Sequence, residues 1–158
     1  MAKITYAAND LGRLIHRSNY EYVFSRREVL QINVIDGNKH ANNSIYGNIA
    51  EVIRQRKFLP DYGFSDEKFV EMGFKMGRRL SVADFRDGLE ESQKAEISLK
   101  VYFDVPYFHM VFDFRRPDGE LAGSLLTNDY FLKYDARSNL WKPLRCMPEF
   151  FPNAIRNV

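Results

Sequence analysis

Two consecutive stretches of this chain place an apolar residue at every second position. Ile97, Leu99, Val101 and Phe103 alternate with Ser98, Lys100 and Tyr102. Phe108, Met110, Phe112 and Phe114 then alternate with His109, Val111 and Asp113. Successive side chains of a strand point to opposite faces, so this spacing predicts two strands that each lay one face on a core. Val105-Pro106 separates them and predicts a hairpin. Arg116-Pro117-Asp118-Gly119 is the next turn, with proline presetting φ and glycine accepting positive φ. Further strands are predicted over Ala122–Tyr134 and Arg79–Arg86, the latter followed by a turn at Asp87-Gly88.

Upstream the period changes. Tyr22–Ile35 reads as extended, with Leu30, Ile32 and Val34 in alternation. Asp36-Gly37-Asn38-Lys39 breaks that run. Asn42, Asn43 and Ser44 are then all suited to capping a helix N-terminus. Ile45, Ile49, Val52 and Ile53 follow at i, i+4, i+7 and i+8, one face of a helix. Gly47 lies inside it, at a cost of about 1 kcal/mol against Ala, which suggests close approach to another backbone. Pro60-Asp61-Tyr62-Gly63 ends the helix. Ser65-Asp66-Glu67-Lys68 starts a second, shorter one with Phe69, Val70 and Met72 as its apolar residues. Residues 1–20 read as an irregular extension with a short helix near Asp10–Arg17. The tail from Asp135 reads as loop, packed down by Trp141, Leu144 and Phe150. The order of strand, long helix, short helix and antiparallel meander predicts an α+β fold with the sheet wrapped on the helix.

The 158 residues suit one domain. The net charge of +2, with both signs spread along the chain, argues against nucleic acid as a partner. Thirteen Phe and nine Tyr favour strands and an apolar interior. Phe108, Phe112 and Phe114 are placed either to line an apolar tunnel or to fill core. Cys146 is the single cysteine, which excludes an internal disulfide and favours a reducing compartment such as the cytoplasm. Its role as a nucleophile has no nearby His to support it. The N-terminal residues lack the apolar segment of a signal peptide, and no run approaches the ~20 apolar residues of a membrane span. His16, His40 and His109 show no metal-ligand spacing, and no phosphate loop or dinucleotide glycine pattern occurs. No cofactor or metal is expected.

The segment from Asp36 to Arg54, DGNKHANNSIYGNIAEVIR, carries the chemistry. Asp36 ends a strand just before a helix start, where free backbone N–H groups and a partial positive charge suit an oxyanion. A carboxylate there can attack a carbonyl or activate a water; it can equally be a turn-forming residue before Gly37. Asp36, His40, Asn42-Asn43, Tyr46, Glu51 and Arg54 have the spacing of a known motif. In them the segment resembles the hot-dog thioesterases of the 4-hydroxybenzoyl-CoA and acyl-ACP type. Lys39 departs from the many members with glycine before the His; the acyl-ACP thioesterases share that departure.

The resemblance implies a hot-dog fold, an antiparallel sheet around a long central helix. It also implies hydrolysis of an acyl-CoA or acyl carrier protein thioester. It makes Asp36 the nucleophile or general base and Asn43 the main amide donor, although spacing alone also allows Ser44. His40 is an acid/base candidate or a loop-shaping partner. Glu51 is a rival catalytic carboxylate or an ion-pair partner of Arg54 or Arg56. Asn38, Asn42 and Tyr46 are candidate substrate contacts, each with a plainer reading as turn, cap or packing residue. Arg78-Arg79 and Arg115-Arg116 are candidate cations for CoA phosphates. A homodimer or homotetramer is implied, with no membrane partner. Two alternatives use the same fold. One is a non-catalytic acyl-binding protein. The other is a hydratase or dehydratase, against which the shorter Asp36-to-His40 spacing and the absence of proline argue.

Overall fold

The computed structural model describes residues 21–31, 43–86, 89–90 and 94–156. For 21–31, 104, 155 and 156 it describes the backbone alone. Six strands form one antiparallel sheet: β1 (Glu21–Gln31), β2 (Phe74–Phe85), β3 (Lys94–Asp104), β4 (Tyr107–Arg115), β5 (Leu121–Asp135) and β6 (Leu140–Pro143). The order across the sheet is β1-β3-β4-β5-β2, with β6 paired to the far end of β5. The alternating residues of Ile97–Phe103 and Phe108–Phe114 meet as the β3–β4 hairpin, with Leu99 opposite Phe112 and Val101 opposite Met110. Phe108, Phe112 and Phe114 are at most 1% exposed, so they fill core rather than line a tunnel. The Arg116–Gly119 turn forms as expected, with Gly119 at φ +88° and its N–H donating to the Arg116 carbonyl.

The helix α1 (Asn43–Ile53) continues into a π-helical segment, Arg54–Phe58, and a closing turn α2 (Leu59–Asp61). Its buried residues are Ile45, Tyr46, Ala50 and Ile53, with Ile49 partly buried against the core. Val52 is 42% exposed, which corrects its assignment to the apolar face; the stripe runs through Tyr46 and Ala50 instead. A regular helix would next turn Lys57, four residues after Ile53, toward the core. The π segment lengthens the turn by one residue, the Leu59 N–H donating to the Arg54 carbonyl, so Phe58 and Leu59 enter the core and Lys57 stays exposed. Among the described residues nothing stands within 4 Å of where a Gly47 side chain would begin, so none of them approaches it closely.

The second helix, α3 (Asp66–Glu71), starts where expected, and the Ser65 side chain accepts from the Lys68 N–H as its cap. Only Phe69 of its apolar residues is buried; Val70 and Met72 are exposed. The tail also departs from its reading as loop, since it forms β6 and the helix α4 (Phe150–Arg156). Phe151 of α4 is fully buried. Its ring centroid lies 5.0 Å from Phe131, 5.2 Å from Phe108, 6.2 Å from Phe69 and 6.4 Å from Phe58. These contacts join the sheet to the helical layer, and such edge and tilted aromatic pairs add about 0.5–1.5 kcal/mol each beyond area burial. Phe151→Ala is expected to lower unfolding free energy by about 3–5 kcal/mol, measured by urea denaturation.

Candidate functional site

Charged side chains gather where α1 passes over the inner face of β2 and β5. Arg54, the first residue of the π segment, is only 7% exposed. Its Nε and Nη2 donate to Glu51 one turn earlier, at 3.1 Å and 2.5 Å. Its Nη1 and Nη2 also donate to the two oxygens of Asp66 on α3, at 2.9 and 2.8 Å. Gln55 donates to both carboxylates. One guanidinium therefore clamps two acids from two helices, the fork geometry that arginine supplies and lysine does not.

The sheet contributes the other half. Arg78 on β2 donates from Nε to Asp129 on β5 at 2.9 Å, its register partner across the strands, while its Nη2 lies 3.7 Å from Glu51. The β2–β5 register shifts between Arg78 and Leu80. Asp129 is 3% exposed and also accepts from the Thr127 hydroxyl at 2.8 Å. A cavity of about 250 Å³ opens at this junction, lined by Glu51, Arg54, Met76, Gly77, Arg78 and Asp129.

These contacts separate the proton affinities of the acids. Hydrogen bonds from Arg54, together with the charges of Arg54 and Arg78, hold the Glu51 carboxyl below the usual carboxylate range against the opposing effect of burial. Arg54 does the same for Asp66. Burial pushes the Asp129 carboxyl up, and Arg78 and Thr127 oppose this only in part. Burial also works against the charge on Arg54, but Asp66 and Glu51 outweigh it and raise its pKa.

The residues expected from the sequence are distributed unevenly. Asp36, Asn38, His40 and Asn42 lie outside the described residues. Asn43 is the first residue of α1 and is exposed, as is Ser44. Tyr46 lies in the core, 2% exposed, its ring centroid 4.8 Å from Phe114 and 5.0 Å from Phe85. Burial pushes the Tyr46 hydroxyl up, opposed by a hydrogen bond with the Leu89 backbone. Of the three that are described, Glu51 stands in the cavity wall, paired with Arg54. Arg78 faces Asp129 and Arg79 lies over the Tyr107 ring, while Arg115 and Arg116 bond to the Gly119 carbonyl and Asp118. Asp66, Thr127 and Asp129 had not been singled out. Alternation along β5 carried a signal for two of them, since Thr127 and Asp129 fall in phase with Leu125 and Phe131 on the core face.

Among the described residues no group of three or more His, Cys, Asp and Glu side chains is placed to hold a metal ion. No described helix is long and apolar enough to cross a membrane.

The architecture has close counterparts among solved structures. One is a 1,4-dihydroxy-2-naphthoyl-CoA thioesterase from Synechocystis, at TM-score 0.72 and 13% identity over 85% of this chain and 98% of that one. A DHNA-CoA thioesterase from Staphylococcus aureus matches at TM-score 0.65 and 17% identity, over 77% and 80%. A hypothetical protein from Staphylococcus aureus, solved in complex with CoA, matches at 0.72 and 17%, over 89% and 87%. The chain has a hot-dog fold. In sequence the likeness is faint: no protein-family model matches, and no curated protein matches either.

The site makes stability depend on pH with a definite sign. Glu51 and Asp66 have folded pKa values below their unfolded ones. Their stabilisation is present above the unfolded value, about pH 4, and is lost as pH falls through the lowered folded values. Asp129, shifted the other way, acts in the opposite sense. Arg54→Leu is expected to cost about 2 kcal/mol near neutral pH. This is less than a fully buried pair would lose, because both carboxylates are partly solvated. The difference from the unaltered protein should shrink below about pH 4. Urea midpoints across pH 3–7 measure both effects.

Proposed function

We propose that this protein hydrolyses an acyl thioester, with Asp36 as nucleophile or general base and the start of α1 at Asn43 as the oxyanion site. The observation that carries the reading is the fold around α1, shared with solved proteins named as CoA thioesterases. The Asp36–Arg54 motif supports it, and its residues from Asn43 onward are helical. Free N–H groups at the start of α1 suit the negative charge that builds on a thioester carbonyl under attack. In this proposal His40 serves as acid/base or loop-shaping partner to Asp36, and Asn38 and Asn42 serve as substrate contacts.

Glu51 fits a different part. Its oxygens already accept from Arg54 and Gln55, and its lowered pKa makes it a weak base. It lies eight residues beyond Asn43, about 12 Å along the axis at 1.5 Å per residue. In this reading the cavity at Glu51 receives the far end of an acyl group whose carbonyl sits at the helix start. The carrier is CoA or an acyl carrier protein. Glu51 as the attacking carboxylate is the alternative.

The working unit in this proposal is a homodimer or homotetramer. β2 supports it: a 12-residue strand at the border of the sheet, without proline, exposing Leu80 and Phe85 at 41% each. Among the described strands β2 ends the sheet, and a border strand of that length with exposed apolar residues is suited to pair with a second copy.

Purified protein is expected to release free thiol from a panel of medium-chain or aromatic acyl-CoA and acyl carrier protein thioesters, and to scatter light as more than a monomer. Asp36→Asn should lower kcat at least a hundredfold. Full activity in Asp36→Asn with none in Glu51→Gln would reverse the two roles. Cleavage of no thioester would favour an acyl-binding protein.

A further inference from the structure

Two interruptions of regular backbone face each other across the charged cavity. The helix is widened to a π turn at Arg54–Phe58, and β2 slips register between Arg78 and Leu80. Each breaks the local ladder of hydrogen bonds, and such irregularities concentrate where a side chain must be re-aimed. An arginine stands beside each, Arg54 at the head of the π segment and Arg78 just before the slip, and both point at Glu51. The sheet carries a further cost. Along β5, Thr127 and Asp129 interrupt an inner face that is otherwise Leu125 and Phe131, so a carboxylate is buried where an apolar residue would stabilise the core. The partners of Asp129 are Thr127 and Arg78. An expensive buried acid that anchors one arginine is an arrangement core packing does not require.

We infer that Asp129 and Arg78 are positioning residues, which hold the Glu51 carboxylate in place on the cavity wall and so govern how the cavity takes the acyl group. The inference rests on the reading of this cavity as the acyl end of a thioesterase site. Asp129 fixes Arg78 at Nε, leaving the Nη2 end 3.7 Å from Glu51, longer than a hydrogen bond but close enough for their charges to interact. Arg78 thus steers Glu51 by charge from the sheet side, while Arg54 grips it from the helix side. The groups facing Glu51 are Arg54 and Gln55 from its own helix, Asp66 bound to the same guanidinium from α3, and Arg78 from β2. Among these only Arg78 comes from the sheet; Arg54 reaches the sheet in turn at Met76, 3.5 Å from its Nη1, so the two arginines together couple the two layers of the site.

The test uses Arg78→Gln, Arg78→Lys and Asp129→Asn in the full chain, each checked for folding by circular dichroism, with two readouts. The first is a carbon-detected NMR titration of the Glu51 carboxyl. Its midpoint should rise by about one pH unit in Arg78→Gln and return part of the way in Arg78→Lys. The second is steady-state thioester hydrolysis. KM should rise about tenfold in Arg78→Gln and in Asp129→Asn, with kcat within about threefold, because binding geometry rather than attack is altered. An unmoved Glu51 midpoint in folded Arg78→Gln overturns the proposal, as does an unaltered KM in folded Asp129→Asn. If the unaltered protein cleaves no thioester, the hydrolase reading falls, and the Glu51 titration alone still decides whether Arg78 steers that carboxylate.

Discussion

The arrangement of the helical layer depends on a single guanidinium. Arg54 is nearly buried, and a charge there is tolerable only because Glu51 and Asp66 surround it. Holding both acids requires the long helix and α3 to stay at a fixed separation. It also requires Arg54 to point inward, which follows from its place four residues after buried Ala50 on the same helix face. The π turn that begins at Arg54 carries Phe58 and Leu59 into the core in place of Lys57, so the polar clamp and the apolar packing meet at one backbone irregularity. Below it the phenylalanines of β4, β5, α3 and α4 close around Phe151. They leave the charged junction as the place where the interior meets solvent.

This division gives the cavity its character. Its walls carry acids held at unlike proton affinities, Glu51 below the ordinary range and Asp129 above it, with Arg78 between them. Neighbouring carboxylates separated in this way are common where a site must bind or move a proton. They are uncommon in a core built for stability alone. The proposed role for the cavity, reception of an acyl group whose carbonyl lies at the helix start, uses that polarity without asking Glu51 to be the attacking group.

The fold was legible in the sequence because its periods are strong. The Ile97–Phe103 and Phe108–Phe114 alternations and the turn at Arg116–Gly119 specify the hairpins directly. The helix could be placed but its face could not, since Val52 fits a regular apolar stripe and the π turn is not a regular helix. The tail was misread for a physical reason. β6 has only four residues, ending in Pro143, and Pro152 in α4 reads as a helix breaker although proline is tolerated in a first turn. Of the site, Glu51 and Arg54 could be named from their spacing. The β5 alternation places Asp129 on the core face, but the partners of Asp129 and Asp66 are 51 and 12 residues away and meet them only through strand register and helix packing.

The central claim is that the charged junction between α1 and the β2–β5 edge is where a thioester's acyl group is held. A crystal structure with a non-hydrolysable thioether analogue of an acyl-CoA substrate from the thioester panel tests it directly. The acyl group is expected in the cavity lined by Glu51, Met76 and Arg78, with the carbonyl mimic at the start of α1. An acyl group seated elsewhere on the fold, with that cavity unchanged and solvent-filled, would contradict it.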